Sequence, residues 1–176
     1  DGIGLSKKDS EGFRVRTDNG QRLIIQMQAV TAFMPWPKQA EMIAQQWRRI
    51  GIFADVREYE RNLAWARIRN NEHHIMLWTN GGTELLYLFP RHAIPVDPTE
   101  AFMGPEFAQW YASNGTQGRK PDDPNLIRIF DLYRSASSQR EQERFKIAQE
   151  IWKILVDQQY GIGTVGQSPA LMGVRM

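Results

Sequence analysis

The residues with the widest chemical repertoire sit together in the stretch NNEHHIMLWTNGGTELLYLFP, positions 70–90. It offers metal ligation by imidazole, phosphate binding by a glycine loop, or a pocket rim built on tryptophan. Metal ligation fails on geometry. His73 and His74 are neighbours in an expected strand, so their side chains leave opposite faces. The sole further histidine is His92, whereas zinc or nickel needs three or four convergent ligands. No metal is expected. The run WTNGGT follows a strand as a phosphate loop does, but it lacks the GxxxxGK[ST] and GxGxxG spacings. No phosphate site or other cofactor site is expected either.

Nucleophilic catalysis finds no footing. There is no cysteine, and no serine stands in a GxSxG elbow. Asp122 and Asp123 fall in a turn beside proline, where solvation is their ordinary role. The expectation is therefore no catalytic residue and no enzyme. The enzymatic alternative is a carboxylate-dependent hydrolase domain that uses Glu84 and Asp97.

Tryptophan is more informative, with six in 176 residues. Trp47 and Trp152 lie on apolar helix faces and read as core. Trp36 lies in a proline-flanked loop, and Trp78 ends a strand. In an open α/β sheet, ligands bind beyond the carboxyl ends of the strands. Trp78, Thr79, Asn80, Gly81 and Gly82 occupy that position, and the loop carrying Trp36 follows another strand end. The two rings then form flat walls, and the glycines let backbone approach a ligand closely; alternatively, both rings pack beneath loops. Arg61, Asn62 and Trp65 begin the helix before that strand and reach in from the side, or they form a solvated helix start. If the site reading holds, Trp78→Ala is expected to weaken ligand binding and leave melting nearly intact.

The elements that must position these residues follow from periodicity. Phe13, Val15, Leu23, Ile25 and Met27 alternate around Asn19-Gly20, a hairpin signal over 13–29. Ala40, Ile43, Ala44, Trp47 and Ile50 predict a helix over 38–50 with Gly51 at its C-terminal cap. A strand, IFADVREY, comes next. A second helix over 61–70 is anchored by Leu63, Trp65 and Ile68, and HHIMLW is a third strand. The order β-α-β-α-β argues for a parallel sheet. The second half carries a long proline-rich connection and a short helix in GPEFAQWYASNG. Two longer helices follow at 124–136 and 138–158, with Phe145 among the apolar positions of the last. A final strand is expected in YGIGTVG.

Composition closes off other classes. Apolar residues make up 41% and charged residues 24%, ordinary for a globular domain with a core. The net charge is +2, with both signs interspersed rather than gathered into the basic stripe that nucleic acid requires, so no nucleic-acid partner is expected. No apolar run reaches the length of a membrane span. Both ends read as cut, as in a mature-chain fragment or an excised domain.

Taken in order, the segments DNGQRLIIQM, QAEMIAQQWRRIGIFADVREYE, HHIMLW and REQERFKIAQEIWKILVDQ resemble the extracellular solute-binding proteins of family 5, the receptors of peptide-type ABC importers. The resemblance runs from about Gly12 to Val165 and implies an α/β fold of the periplasmic-binding-protein-like type II kind. In that reading residues 1–176 are a single C-terminal lobe, with a mostly parallel sheet flanked by helices. It further implies a periplasmic or cell-surface, non-enzymatic, monomeric receptor that binds a small-molecule ligand in an interlobe cleft and serves a membrane permease. The ligand expected is a peptide or similar small oligomer, with an oligosaccharide as the alternative. Peptide binders of the family hold the ligand's amino group with an aspartate shortly after the tryptophan. Here Asn80-Gly81-Gly82 stands in that place, with Glu84 displaced along the chain, and a buried ammonium left without its counter-charge is costly.

Overall fold

A computed structural model describes residues 4–32, 34–79 and 85–163. Contacts divide the chain into two compact units, Asp1–Lys120 and Pro121–Met176. The first unit contains strands β1 (Ile24–Val30), β2 (Phe53–Tyr59) and β3 (Ile75–Met76), with helices α1 (Trp36–Arg49), α2 (Arg61–Arg69) and α3 (Pro105–Ala112). The second contains helices α4 (Pro124–Ala136) and α5 (Glu141–Gln158).

The sheet has the order β2-β1-β3, and both pairings are parallel. Ile24 opposes Phe53 and Val30 opposes Tyr59, while Met27 and Gln28 oppose Ile75 and Met76. A central parallel strand is covered on both faces, so its burial is continuous rather than alternating. Accordingly Met27, Gln28, Ala29 and Val30 are all buried. Met27, Ala29 and Val30 join Trp36, Ala40 and Ala64 in the core, against which Ile43, Trp47, Ala54 and Val56 pack.

The expected α/β class and parallel sheet are observed, with local departures. Asn19-Gly20 does turn the chain, with Gly20 at φ +71°, yet only single bridges form, Val15 with Arg22 and Lys8 with Arg14. The return segment leaves its antiparallel partner because β1 gains two parallel neighbours, which bury far more of it. The third strand shrinks from HHIMLW to two residues, with Leu77 N–H continuing the ladder to the Gln28 carbonyl at 3.1 Å. Helix α1 starts earlier than expected: Pro35 and Pro37 flank its first position, where a missing N–H costs nothing, so Trp36 is helical and buried rather than in a loop. Leu63 is not an anchor of α2 but 52% exposed, and Ala64 and Ile68 fill that role. Phe145 is likewise exposed, and Trp47 and Trp152 are half-buried rather than fully enclosed.

Gly51 ends α1 as expected, at φ +82°. A Cβ there would lie 2.8 Å from the Gly12 carbonyl oxygen, and the Gly51 carbonyl accepts from Arg14 N–H at 2.7 Å. Glycine is thus required by conformation and by close approach at once.

In the second unit, α4 and α5 pack on each other. Asp123 is more than a solvated turn residue: its carboxylate caps α4 by accepting from Asn125 N–H at 2.8 Å, with Pro124 at the first helical position. It also accepts a hydrogen bond from the Tyr160 hydroxyl. The expected last strand is not formed over 160–163, and its remainder, 164–166, lies outside the described residues. Among the described residues no helix is long and apolar enough to cross a membrane.

Candidate functional site

The three parallel strands deliver their carboxyl ends to one side. Trp36 opens the helix after β1, Arg61 the helix after β2, and Trp78 follows β3. Helix α2 is held for this purpose at both ends. Glu60 caps it, its Oε2 accepting from Asn62 N–H at 2.8 Å and Leu63 N–H at 3.3 Å. The buried Gln28 side chain donates to the Ala64 carbonyl at 3.1 Å, pinning α2 to the central strand beside Trp65. At the far end Arg67 donates to the Glu72 carbonyl at 2.7 Å and to Gln26 Oε1 at 3.1 Å.

An aromatic cluster results. Trp36 stacks on Trp78 with centroids 6.3 Å apart and planes 24° from parallel. Trp65 meets Trp78 edge-on at 5.7 Å. Phe102, from the connection before α3, lies 4.9 Å from Trp65 and 6.1 Å from Trp78, and His92 meets Phe102 at 4.9 Å. Such edge-to-face and offset contacts suit the ring quadrupole.

Beside the cluster lies a cavity of about 290 Å³. Trp65 and Trp78 supply its flat walls, and Arg61, Arg69 and Arg91 its charge, with His92, Thr99 and Glu100 completing the lining. The Arg61 guanidinium stands over the Trp78 ring at 5.8 Å, within cation–π range. Arg91 is ion-paired with Glu100. Thr99 and Glu100 are presented by a turn that Asp97 closes, its Oδ1 accepting from Thr99 N–H at 2.8 Å and Thr99 Oγ1 at 2.7 Å.

The two adjacent histidines precede β3 rather than lying in it, and they have different partners. His74 Nδ1 accepts from Gln26 N–H at 3.0 Å, while His73 Nε2 lies 2.9 Å from the Phe102 carbonyl. Burial holds His73 below the usual imidazole range, aided by the charges of His74 and Arg67 and opposed by the Phe102 hydrogen bond. Among the described residues no group of acids and histidines is placed to hold a metal.

Of the residues singled out from sequence, the fold brings Arg61, Trp65 and Trp78 to one cavity. Trp36 stands behind Trp78, buried, with its indole N–H lacking a hydrogen-bond partner among the described residues. Asn62 and Thr79 are exposed and do not line this cavity. Asn80, Gly81, Gly82 and Glu84 lie outside the described residues. Asp97, the candidate acid of the hydrolase alternative, is occupied in closing its turn.

Sequence reading missed Arg69, Arg91, His92, Thr99, Glu100 and Phe102. For Arg69 a signal existed: Arg61, Trp65 and Arg69 recur every fourth residue, which places them along one side of α2. The others come from an irregular connection with no periodicity to read.

No protein-family model and no curated protein matches the sequence. Solved structures do match. An oligopeptide-binding protein, OppA, superposes over 90% of this chain with a TM-score of 0.75 at 20% identity, the chain spanning 27% of its length. MelB of Agrobacterium fabrum, a periplasmic binding protein in complex with stachyose, matches over 90% of this chain and 23% of its own, with a TM-score of 0.72 at 20% identity. NikA of Brucella suis, in complex with Fe(III)-EDTA, matches over 88% of this chain and 28% of its own, with a TM-score of 0.60 at 20% identity. The chain thus spans about a quarter of the length of the proteins it matches, two of which are named as binding proteins. Its fold is that of part of a periplasmic binding protein, the periplasmic-binding-protein-like α/β architecture that the sequence resemblance implied.

Proposed function

We propose that this chain is one ligand-binding lobe of an extracytoplasmic solute-binding protein. It binds a peptide or similar small oligomer in a cleft and presents it to the membrane permease of an ABC importer. The observation that carries the reading is the pocket at the carboxyl ends of a parallel sheet, walled by Trp65 and Trp78 and edged by polar and charged groups. Such a site offers apolar area for a ligand body and a few convergent polar groups for orientation. Walls and edges of this kind serve recognition of a bound solute. The fold shared with an oligopeptide-binding protein supports the same conclusion, and we read the whole protein as a periplasmic, monomeric receptor.

An oligosaccharide is the second reading, favoured by the flat indole faces of Trp65 and Trp78, which suit sugar rings. It is supported by the fold shared with a protein in complex with stachyose. Native mass spectrometry of the full-length protein, purified gently from its host, separates the two. A bound mass that fragments into amino acids supports the peptide, and hexose or pentose losses support the sugar. An empty protein that takes up neither class when offered a panel of oligomers overturns the binding role.

A further inference from the structure

The cavity walls Trp65 and Trp78 stand on separate elements, α2 and the end of β3, and two glutamines of the central strand β1 hold both. Gln26 and Gln28 are two residues apart in a strand, so their side chains leave the same face. Gln28 Nε2 donates to the Ala64 carbonyl at 3.1 Å and to Met76 Sδ at 3.2 Å. One amide therefore grips the residue before Trp65 and the second residue before Trp78. Gln26 forms another rung. Its Oε1 accepts from Arg67 at 3.1 Å, and its backbone N–H donates to His74 Nδ1 at 3.0 Å. Ala64 and Arg67 are neighbours along one side of α2, and His74 leads into β3.

An amide is a poor choice for this place if filling space is its only task. Among the described residues Gln28 is the one buried side chain that is polar, and its Oε1 is buried with no hydrogen-bond partner among them. An enclosed amide oxygen left unpaired opposes folding, and an apolar side chain of the same length avoids that cost. Nor does α2 require the bond in order to form. A carbonyl in the body of a helix already accepts from the N–H four residues on, and Ala64 and Ile68 both lie within α2. What the amide adds is direction: a hydrogen bond fixes where Ala64 and Met76 sit against β1 more closely than apolar packing does.

We propose that Gln28 is a positioning residue for the binding site. With Gln26 it holds α2 and β3 at one offset, and so sets the edge-on meeting of Trp65 and Trp78, whose planes lie 75° apart. The inference rests on the solute-binding reading above and adds a determinant of fit that lies outside the cavity. Gln28 is fully buried and does not line the cavity, so it acts on a ligand only through the two indoles. A slip of α2 along β1 would turn Trp65 against Trp78 and Phe102 and misalign the wall.

The test compares the full-length protein with Gln28→Met, which keeps the length of the side chain and removes the amide. Gln26→Met removes the half-buried outer rung. Gly20→Ala, in the turn before β1, is a control that lowers stability alone. Titration calorimetry uses a panel of di- to pentapeptides and di- to tetrasaccharides, and near-ultraviolet circular dichroism reads the packing of the tryptophans without ligand. Gln28→Met is expected to melt no lower than the parent protein, to change the near-ultraviolet spectrum, and to bind the panel member that the parent binds about tenfold more weakly. Gln26→Met should shift spectrum and affinity in the same direction by a smaller factor, and Gly20→Ala should shift neither. An unchanged spectrum and affinity in Gln28→Met overturn the positioning role and leave the solute-binding reading intact. A lower melting temperature with unchanged affinity overturns it too, because Gln28 then serves stability alone. Should Gln28→Met not fold, Gln26→Met decides: an unchanged spectrum and affinity there overturn the proposal. If the parent protein binds no member of the panel, the solute-binding reading falls and this assignment with it.

Discussion

Trp36 and Trp78 lie face to face, 6.3 Å between centroids and 24° from parallel, although one opens α1 and the other follows β3. Each therefore spends a ring face on the other. The pair is not two open walls: Trp36 backs Trp78, and Trp78 with Trp65 forms the surface that a ligand meets.

That arrangement revises what Trp78→Ala should do. Trp36 is only 7% exposed, so Trp36→Ala should cost about 3–5 kcal/mol in urea unfolding, as for other buried aromatic truncations. Half-buried Trp78 touches Trp36, Trp65 and Phe102, so Trp78→Ala should lower stability too, by about 2 kcal/mol. It should also weaken ligand binding directly. Unfolding curves and titration calorimetry on both variants check the order.

Gly51 and Gly20 both hold positive φ, but only Gly51 faces backbone. Gly20→Ala should lose about 1–2 kcal/mol from the left-handed conformation alone. Gly51→Ala should lose more, because the added carbon would lie 2.8 Å from the Gly12 carbonyl and push α1 off its contact with the 12–14 segment. Equal losses in urea melts would show that the close approach is relieved at no cost.

His73 links acidity to the aromatic cluster. Its folded pKa is lowered from 6.5, first by burial, so the folded state binds its proton less readily than the unfolded chain. The folded state should therefore lose stability as pH falls through 6.5, the loss completing below the folded value. The second proton would sit on Nδ1, which is buried with no hydrogen-bond partner among the described residues, while Nε2 keeps the Phe102 carbonyl. Urea melts between about pH 8 and about pH 5 should show this slope, and His73→Gln should flatten it.

Asp123 and Tyr160 act at the start of α4. Removing the hydroxyl with Tyr160→Phe should cost about 1 kcal/mol. Asp123→Ala should cost about 2 kcal/mol, because it removes the helix cap as well. The Tyr160 hydrogen bond, ahead of the backbone bonds from Asn125 and Leu126, holds the Asp123 carboxyl below 3.8. Its contribution is thus full above that value and lost as pH falls through the folded one. Thermal melts of both variants at neutral and strongly acid pH provide the check.

Periodicity alone determined most of the fold. Ala40, Ile43 and Trp47 placed α1, and the alternation of helix and strand implied a parallel sheet, because each signal is carried by neighbours in the chain. The same local logic placed Gly51 at a cap. What only tertiary structure decided depends on residues far apart. The partner that β1 chose over the 13–22 turn, the helical start at Trp36, and the shortening of β3 all follow from burial against distant segments. So does the cavity, where an α2 stripe legible in sequence meets Arg91, Glu100 and Phe102 from a connection whose course no local pattern sets.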